Sequence, residues 1–159
     1  MLRITQAQSK DKTDVANLFN QYRIFYQMNS DSKSAMQFIS ERLDQSDSII
    51  YLARFCKINI HSEFSNRANE ACGFIQIYPA FSSVAMRPIW ILNDLFVNDQ
   101  CRNKGIAKGL MEHARLEAQK RGIFSIKLAT AVDNSTAKNL YESLNYKKID
   151  KFDNYSLKI

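Results

Sequence analysis

Residues 95–111 read LFVNDQCRNKGIAKGLM. The triplet Leu95-Phe96-Val97 closes a run of strand-forming residues that opens at Pro88, a short basic loop follows, and a helix begins near Gly105. A strand-loop-helix junction of this kind aims several backbone N–H groups and the positive end of a helix dipole at one spot, which suits phosphate. Gly105 permits close backbone approach, Ala107 keeps the first turn small, and Arg102, Lys104 and Lys108 add positive charge. Together with Asn103 and Ile106, these residues read as a pyrophosphate cradle. The spacing is neither that of a nucleotide-triphosphate P-loop nor the Gly-x-Gly-x-x-Gly of dinucleotide sites. Taken alone, Arg102 to Ala107 also describes an ordinary basic helix cap.

Outward from this junction, the periodicity predicts a mixed sheet with helices on its faces. Leu2 to Gln6 alternates like an edge strand. Val15, Leu18, Phe19, Tyr22 and Phe25 recur at helical spacing behind Asp11 or Thr13, and Ser30-Asp31-Ser32 caps a second, shorter helix through Leu43. Ser48 to Cys56, Cys72 to Tyr78 and Pro88 to Val97 read as strands, with 57–70 a loop or hairpin tip and Pro79 to Arg87 a connection. Lys104 to Arg121 is a helix ended by Gly122, and Ser125 to Ala131 is a strand. Asp133 or Asn134 caps a last helix through Leu144, and Tyr146 to Ile149 and Tyr155 to Ile159 are terminal strands. The order is that of an α/β (α+β) fold.

The chain of 159 residues, 45% apolar and 24% charged, has no linker, repeat or low-complexity stretch, so residues 1–159 are expected to form a single domain. No apolar run reaches the roughly 18 residues of a membrane span, and Met1 to Lys12 lacks the apolar core of a signal peptide. Cys56, Cys72 and Cys101 are odd in number and widely spaced, which reads as reduced thiols in a cytoplasmic protein, and with only His61 and His113 no zinc site is expected. The net charge of +6 is uneven: residues 1–99 carry ten Lys/Arg and ten Asp/Glu, whereas residues 100–159 carry twelve against six. That surplus fits either a local anionic partner or a solvated basic surface. No aromatics interleave with Lys/Arg as a nucleic-acid binder requires, so no nucleic-acid partner is expected.

Val97 followed by Arg102-Asn-Lys-Gly105-Ile-Ala107 resembles the acetyl-coenzyme A signature of the GNAT N-acetyltransferase superfamily, Arg/Gln-x-x-Gly-x-Gly/Ala. Asn134-Ser-Thr-Ala137-Lys-Asn-Leu140-Tyr141-Glu-Ser-Leu144-Asn-Tyr146 resembles its second motif, in the same order along the chain. The resemblance implies a mostly antiparallel, splayed sheet of about six to seven strands with about four helices. Acetyl-CoA would wedge between the strand ending at Val97 and the strand ending near Thr130. The backbone of Leu95, Phe96 and Val97 would pair with the pantetheine arm, the amides of Arg102 to Ala107 would bind the pyrophosphate, and Asn134, with Ala137, would sit beside the cofactor. A plain helix N-cap is the other reading of Asn134, and both can hold at once. A homodimer is implied by the family rather than by any residue.

Acetyl transfer needs a neutral amine, a stabilised oxyanion and a protonated leaving thiolate. Tyr141 matches the family's general-acid tyrosine, though an amphipathic helix also places such a residue in a core. The backbone N–H of Val97 is the oxyanion donor implied. Asp94 is the nearest carboxylate in sequence, as base, cation-binding group or ion-pair partner. Trp90 to Val97 resembles the polyamine acetyltransferase branch, in which a Glu-Asp pair precedes the aromatic; Asn93 replaces that Glu and removes a carboxylate attractive to a polycation. Tyr78 to Ser83 is similar to small acetyltransferases described as histone-acetyltransferase-like. Substrate contacts are expected from Tyr22, Tyr26, Phe81 and Ser83, with Asn93 and Asp94, the aromatics packing on an aliphatic amine or holding a cation over a ring. The function implied is acetylation of a primary amine on a small molecule of polyamine or amino-acid type. A protein lysine or N-terminal acceptor, and a non-catalytic acetyl-CoA sensor, are the alternatives.

Overall fold

The computed structural model describes residues 1–55 and 69–159, so the loop expected over 57–70 lies almost wholly outside the described residues. The chain falls into two compact units, Met1–Ala129 and Thr130–Ile159.

The first unit runs β1 (Leu2–Gln6), α1 (Lys12–Phe25), α2 (Ser32–Gln45), β2 (Ile49–Phe55), β3 (Ala71–Ser82), β4 (Arg87–Val97), α3 (Ile106–Lys120) and β5 (Ser125–Leu128). The sheet order is β1-β2-β3-β4-β5. Its neighbours pair antiparallel except β4 and β5, which are parallel because α3 carries the chain back across the sheet. Side chains of a strand alternate between faces, and cross-strand partners share one. Ile50, Leu52, Phe74 and Phe96 therefore form one buried layer against Val15, Leu18 and Ile39 of α1 and α2. On the other face Tyr51 lies edge-on to His113 of α3, with ring centroids 4.7 Å apart, and Leu110, Met111 and Ala114 of that helix are buried.

Local chemistry sets the helix ends. Asp31 caps α2 by accepting from the Ser34 amide at 2.9 Å. Buried Asn20 on α1 accepts from the Asp31 amide at 2.9 Å and donates to Ser30 Oγ, which ties the first two helices together. The expected helix over 104–121 begins at Ile106, since Gly105 at φ 75° cannot lie within it.

Two local features shape the sheet near the site. Ile77 pairs with Leu92 but Gln76 with Asp94, so Asn93 is an extra residue in β4, a bulge that bends the strand. The β4–β5 ladder ends at Leu92 and Leu128. Among the described residues, Asn93 to Val97 therefore have no strand on that side, and the sheet splays open there.

The segment expected as a connection over 79–87 is largely strand. β3 and β4 form a long ribbon turned at 83–86, and Ala85 N–H donates to Ser82 Oγ at 3.2 Å within the turn. The second unit holds α4 (Ser135–Ser143), capped by Asn134, whose Oδ1 accepts from the Ala137 amide at 3.1 Å. The terminal strands expected over Tyr146 to Ile149 and Tyr155 to Ile159 do not form. Those residues have no strand pairing, and Tyr155, Leu157 and Ile159 are exposed, so among the described residues the sheet has five strands rather than six to seven. Apolar alternation is a local property, whereas a strand also needs a neighbour for its backbone hydrogen bonds.

Candidate active site

Hydrogen-bond direction decides which atoms line the splay. Asn98 N–H donates to Cys72 O on β3 at 2.9 Å, and the Phe96 carbonyl also faces β3, where a Cβ on Gly73 would meet it at 2.6 Å. Successive residues of a strand turn their N–H and C=O to opposite sides, so Leu95 and Val97 present theirs to the splay. The Val97 carbonyl accepts there from Arg102 Nε at 3.3 Å. Phe96, expected to join them, instead spends its polar groups on β3 and its ring in the core.

The open edge runs directly into the cradle. A 3-10 turn over Asp99–Cys101 is capped by Asn98 Oδ1, which accepts from the Gln100 amide at 3.0 Å. Asn103 at φ 59° and Gly105 at φ 75° then swing the chain into α3. The first helical bond runs from Gly109 N–H to Gly105 O, so the amides of Ile106, Ala107 and Lys108 have no intrahelical acceptor. A Cβ built on Gly105 would meet nothing within 4 Å. Three free donors at a positive helix end, facing open space beside Arg102, fit a diphosphate. Arg102 is itself held by Asp99 at 2.6 Å and lies 5.5 Å from the Phe25 ring. Lys104 Nζ donates to Gln100 O at 2.9 Å.

On the α1/α2 face, at the bulge, sits Asp94, 4% exposed. Burial pushes its carboxyl above the usual carboxylate range, while hydrogen bonds from Tyr22 and Asn93 pull it down. Asn93 Nδ2 reaches both carboxylate oxygens at 3.2 Å from its exposed position on the bulge. Tyr22 is thus a holder of Asp94 as well as a lining aromatic. Tyr26, 45% exposed, lies edge-on to it with centroids 5.0 Å apart. Sequence reasoning missed Gln76, fully buried and directly opposite Asp94, and Ser48, to which Gln76 Nε2 donates at 2.9 Å. The available signal was a lone polar residue inside the apolar run from Cys72 to Tyr78.

In the second unit, Asn134 performs its capping role and Tyr141 lies on α4, its ring 6.2 Å from that of Tyr146. Thr130 opens that unit and Ala137 stands in the first turn of the helix.

A profile described as "Acetyltransferase (GNAT) domain" matches residues 52–148. The uncharacterized N-acetyltransferase YhfO of Bacillus subtilis (strain 168) is 37% identical over 158 residues, 99% of this chain and 98% of that protein. The chain belongs to the GNAT acetyltransferase family. A crystal structure of a probable acetyltransferase shares 36% identity at a TM-score of 0.84, covering 99% of this chain and 97% of that one. A predicted acetyltransferase from Clostridium acetobutylicum, solved with acetyl-CoA, shares the fold at a TM-score of 0.72 and 14% identity over 98% of this chain and 96% of that one. This GNAT acetyltransferase is an acyltransferase enzyme, and no helix among its described residues is long and apolar enough to cross a membrane.

Phe81 and Ser83 are not brought to this acetyltransferase's Asp94. Phe81 lies five residues beyond Gln76 along β3, about 17 Å at strand rise, and the alternation turns it to the opposite face. It is 82% exposed, and Ser83 lies in the hairpin turn. Cys72 and Cys101 are free and buried, and burial, with Cys101 alongside, pushes the Cys72 thiol up to about 12.

Proposed function

We propose that this enzyme moves an acetyl group from acetyl-CoA directly to a primary amine on a small molecule of polyamine or amino-acid type, acting as one domain over residues 1–159. The observation that carries the reading is the open edge of Leu95 and Val97, which leads into the unpaired amides of α3 and lies one strand position from buried Asp94. Bound acetyl-CoA supplies the acetyl group as an activated thioester. Leu95 and Val97 orient the pantetheine arm by strand-like hydrogen bonds, and the amides of Ile106 to Lys108 with Arg102 hold the diphosphate. Asn134 contributes from the second motif.

An alkylamine of pKa about 10.4 is neutral at pH 7 in roughly one molecule in 2,500, so the acceptor must lose a proton. Asp94 takes it, a role favoured by burial that makes its carboxylate a stronger base. Val97 N–H, already aimed at the splay, donates to the carbonyl oxygen as negative charge develops there. Tyr141 protonates the departing sulfur. No acetyl-cysteine step is invoked: Cys72 stays protonated at neutral pH and both described thiols are buried. Tyr26 supplies an exposed ring edge for the acceptor's aliphatic part.

The test is thiol release from acetyl-CoA across polyamines, amino acids of both hands, aminoglycosides and lysine peptides, with Tyr141→Phe in parallel. Turnover on one small-amine class, collapsing in the variant, is the expected result. Turnover confined to lysine peptides would move the acceptor to protein, and cofactor binding without turnover on any amine would indicate a sensor.

A further inference from the structure

Gln76 is a fully buried amide opposite the candidate base, and its carbonyl oxygen is unused. Its Nε2 donates to Ser48 Oγ at 2.9 Å, yet its Oε1 has no hydrogen-bond partner among the described residues. An orphaned buried acceptor costs about 1–3 kcal/mol, so a strand otherwise filled with apolar side chains does not carry one without cause. Gln76 and Asp94 are direct cross-strand partners on the α1/α2 face, a relation that brings Cβ atoms to about 5 Å. A carboxylate cannot satisfy Oε1, because both are acceptors. A carboxylic acid can.

We propose that Gln76, clamped by Ser48, is a positioning residue that receives the proton-bearing oxygen of Asp94, its Oε1 accepting a hydrogen bond from the acid formed when Asp94 takes a proton. The inference rests on the reading of Asp94 as the base. In the step, the N–H bond of the substrate ammonium breaks, its electron pair stays on nitrogen, and the proton forms an O–H bond on Asp94. That O–H then points at Gln76 Oε1 while Tyr22 and Asn93 keep the other lone pairs occupied. Proton uptake thus completes the hydrogen bonding of the buried cluster.

The titratable groups facing Asp94 are Tyr22 from α1 and Tyr78 from β3, whose phenol is raised by burial and then by the Asp94 charge; Arg42 and Asp47 act on Tyr78 from the end of α2. Tyr22 already spends its hydroxyl hydrogen on Asp94, and Gln76 is the residue directly across the strand pair from it, so the unpartnered Oε1 is the acceptor placed for an acid at Asp94.

The experiment is a 13C NMR titration of the full chain labelled at aspartate carboxyl carbons, with the Asp94 signal assigned by its loss in Asp94→Asn. The wild-type midpoint is expected above the ordinary aspartate value. Gln76→Met, which keeps length and removes the acceptor, lowers it by about one pH unit, the equivalent of one hydrogen bond to the neutral form. Gln76→Glu, which retains an oxygen acceptor and adds negative charge, holds it at or above wild type. Because added negative charge raises the midpoint by itself, the downward shift in Gln76→Met is the deciding readout. Should Gln76→Met fail to fold by circular dichroism, Ser48→Ala releases the clamp and moves the midpoint down by about half a unit on the same reasoning. An unchanged or raised midpoint in Gln76→Met, or in Ser48→Ala if that is the variant that folds, overturns the proposal. Full turnover by Asp94→Asn would instead remove Asp94 as base, while a lowered midpoint would still establish the Gln76 contact.

Discussion

Two glycines near the site separate stability from cofactor binding, because each excludes a side chain for a different reason. A Cβ at Gly73 would sit 2.6 Å from the Phe96 carbonyl and 3.1 Å from Val97 Cγ2, so backbone must move between two central strands. Overpacking of that kind costs about 1–3 kcal/mol, which for a chain of this size lowers Tm by roughly 3–10 °C. At Gly105 the same methyl meets nothing within 4 Å, and only its φ of 75° is unfavourable, at about 1–2 kcal/mol. In the proposed function, the space the methyl enters is where the diphosphate approaches the amides of α3. Losing one charge-assisted hydrogen bond there costs about 1.5–3 kcal/mol, or roughly 10- to 150-fold in affinity. Thermal unfolding and calorimetric titration with CoA, run on wild type, Gly73→Ala and Gly105→Ala, read both quantities. The expected pattern is a lower Tm with nearly unchanged CoA affinity per folded molecule for Gly73→Ala, and a smaller Tm change with much weaker CoA binding for Gly105→Ala. CoA affinity unchanged in Gly105→Ala would refute the cradle.

Asp94→Asn is expected to lower kcat/KM by about 10²- to 10⁴-fold in the thiol-release assay, the range of a lost general base. Its folded pKa lies above the unfolded value, so its stabilising contribution is complete below the unfolded pKa and is lost as pH rises through the folded one. The Tm of Asp94→Asn relative to wild type should accordingly rise from pH 4 to pH 8, and a relative Tm that falls over that interval would contradict the burial argument. Arg102→Ala removes the bond to the Val97 carbonyl and the pairing with Asp99, and should weaken CoA binding by about tenfold, the equivalent of about 1.4 kcal/mol, in the same titration. Arg54→Met strands Asp11, 15% exposed, and breaks the contacts to Asp11 at 3.0 Å and Asp14 at 2.6 Å. A loss of about 1–2 kcal/mol, seen as a Tm lowered by roughly 2–8 °C in thermal unfolding, is expected.

Periodicity and caps were enough to place α1, α2, α3 and α4, since each helix is written locally in its spacing and in Asp31, Gly105, Gly122 or Asn134. The cradle was legible for the same reason: its donors are consecutive in sequence. Pro79 misled, because proline normally stops a strand. β2 reaches only to Ile77, and Pro79 is the next residue of β3 on that side, so its nitrogen faces an edge with no strand to receive a hydrogen. Composition cannot show where a neighbouring strand ends.

What the sequence determined by itself is therefore the set of elements, the GNAT likeness and the basic turn that leads into α3, all products of short-range spacing. Only the tertiary structure decided which atoms face the site. The Asn93 bulge sets Asp94 opposite Gln76, the end of the β4–β5 ladder frees Leu95 and Val97 but not Phe96, and the ribbon carries Phe81 away. The physical reason is register: shifting a strand by one residue exchanges its faces and its hydrogen-bonding sides, and register is settled by contacts between segments far apart in the chain.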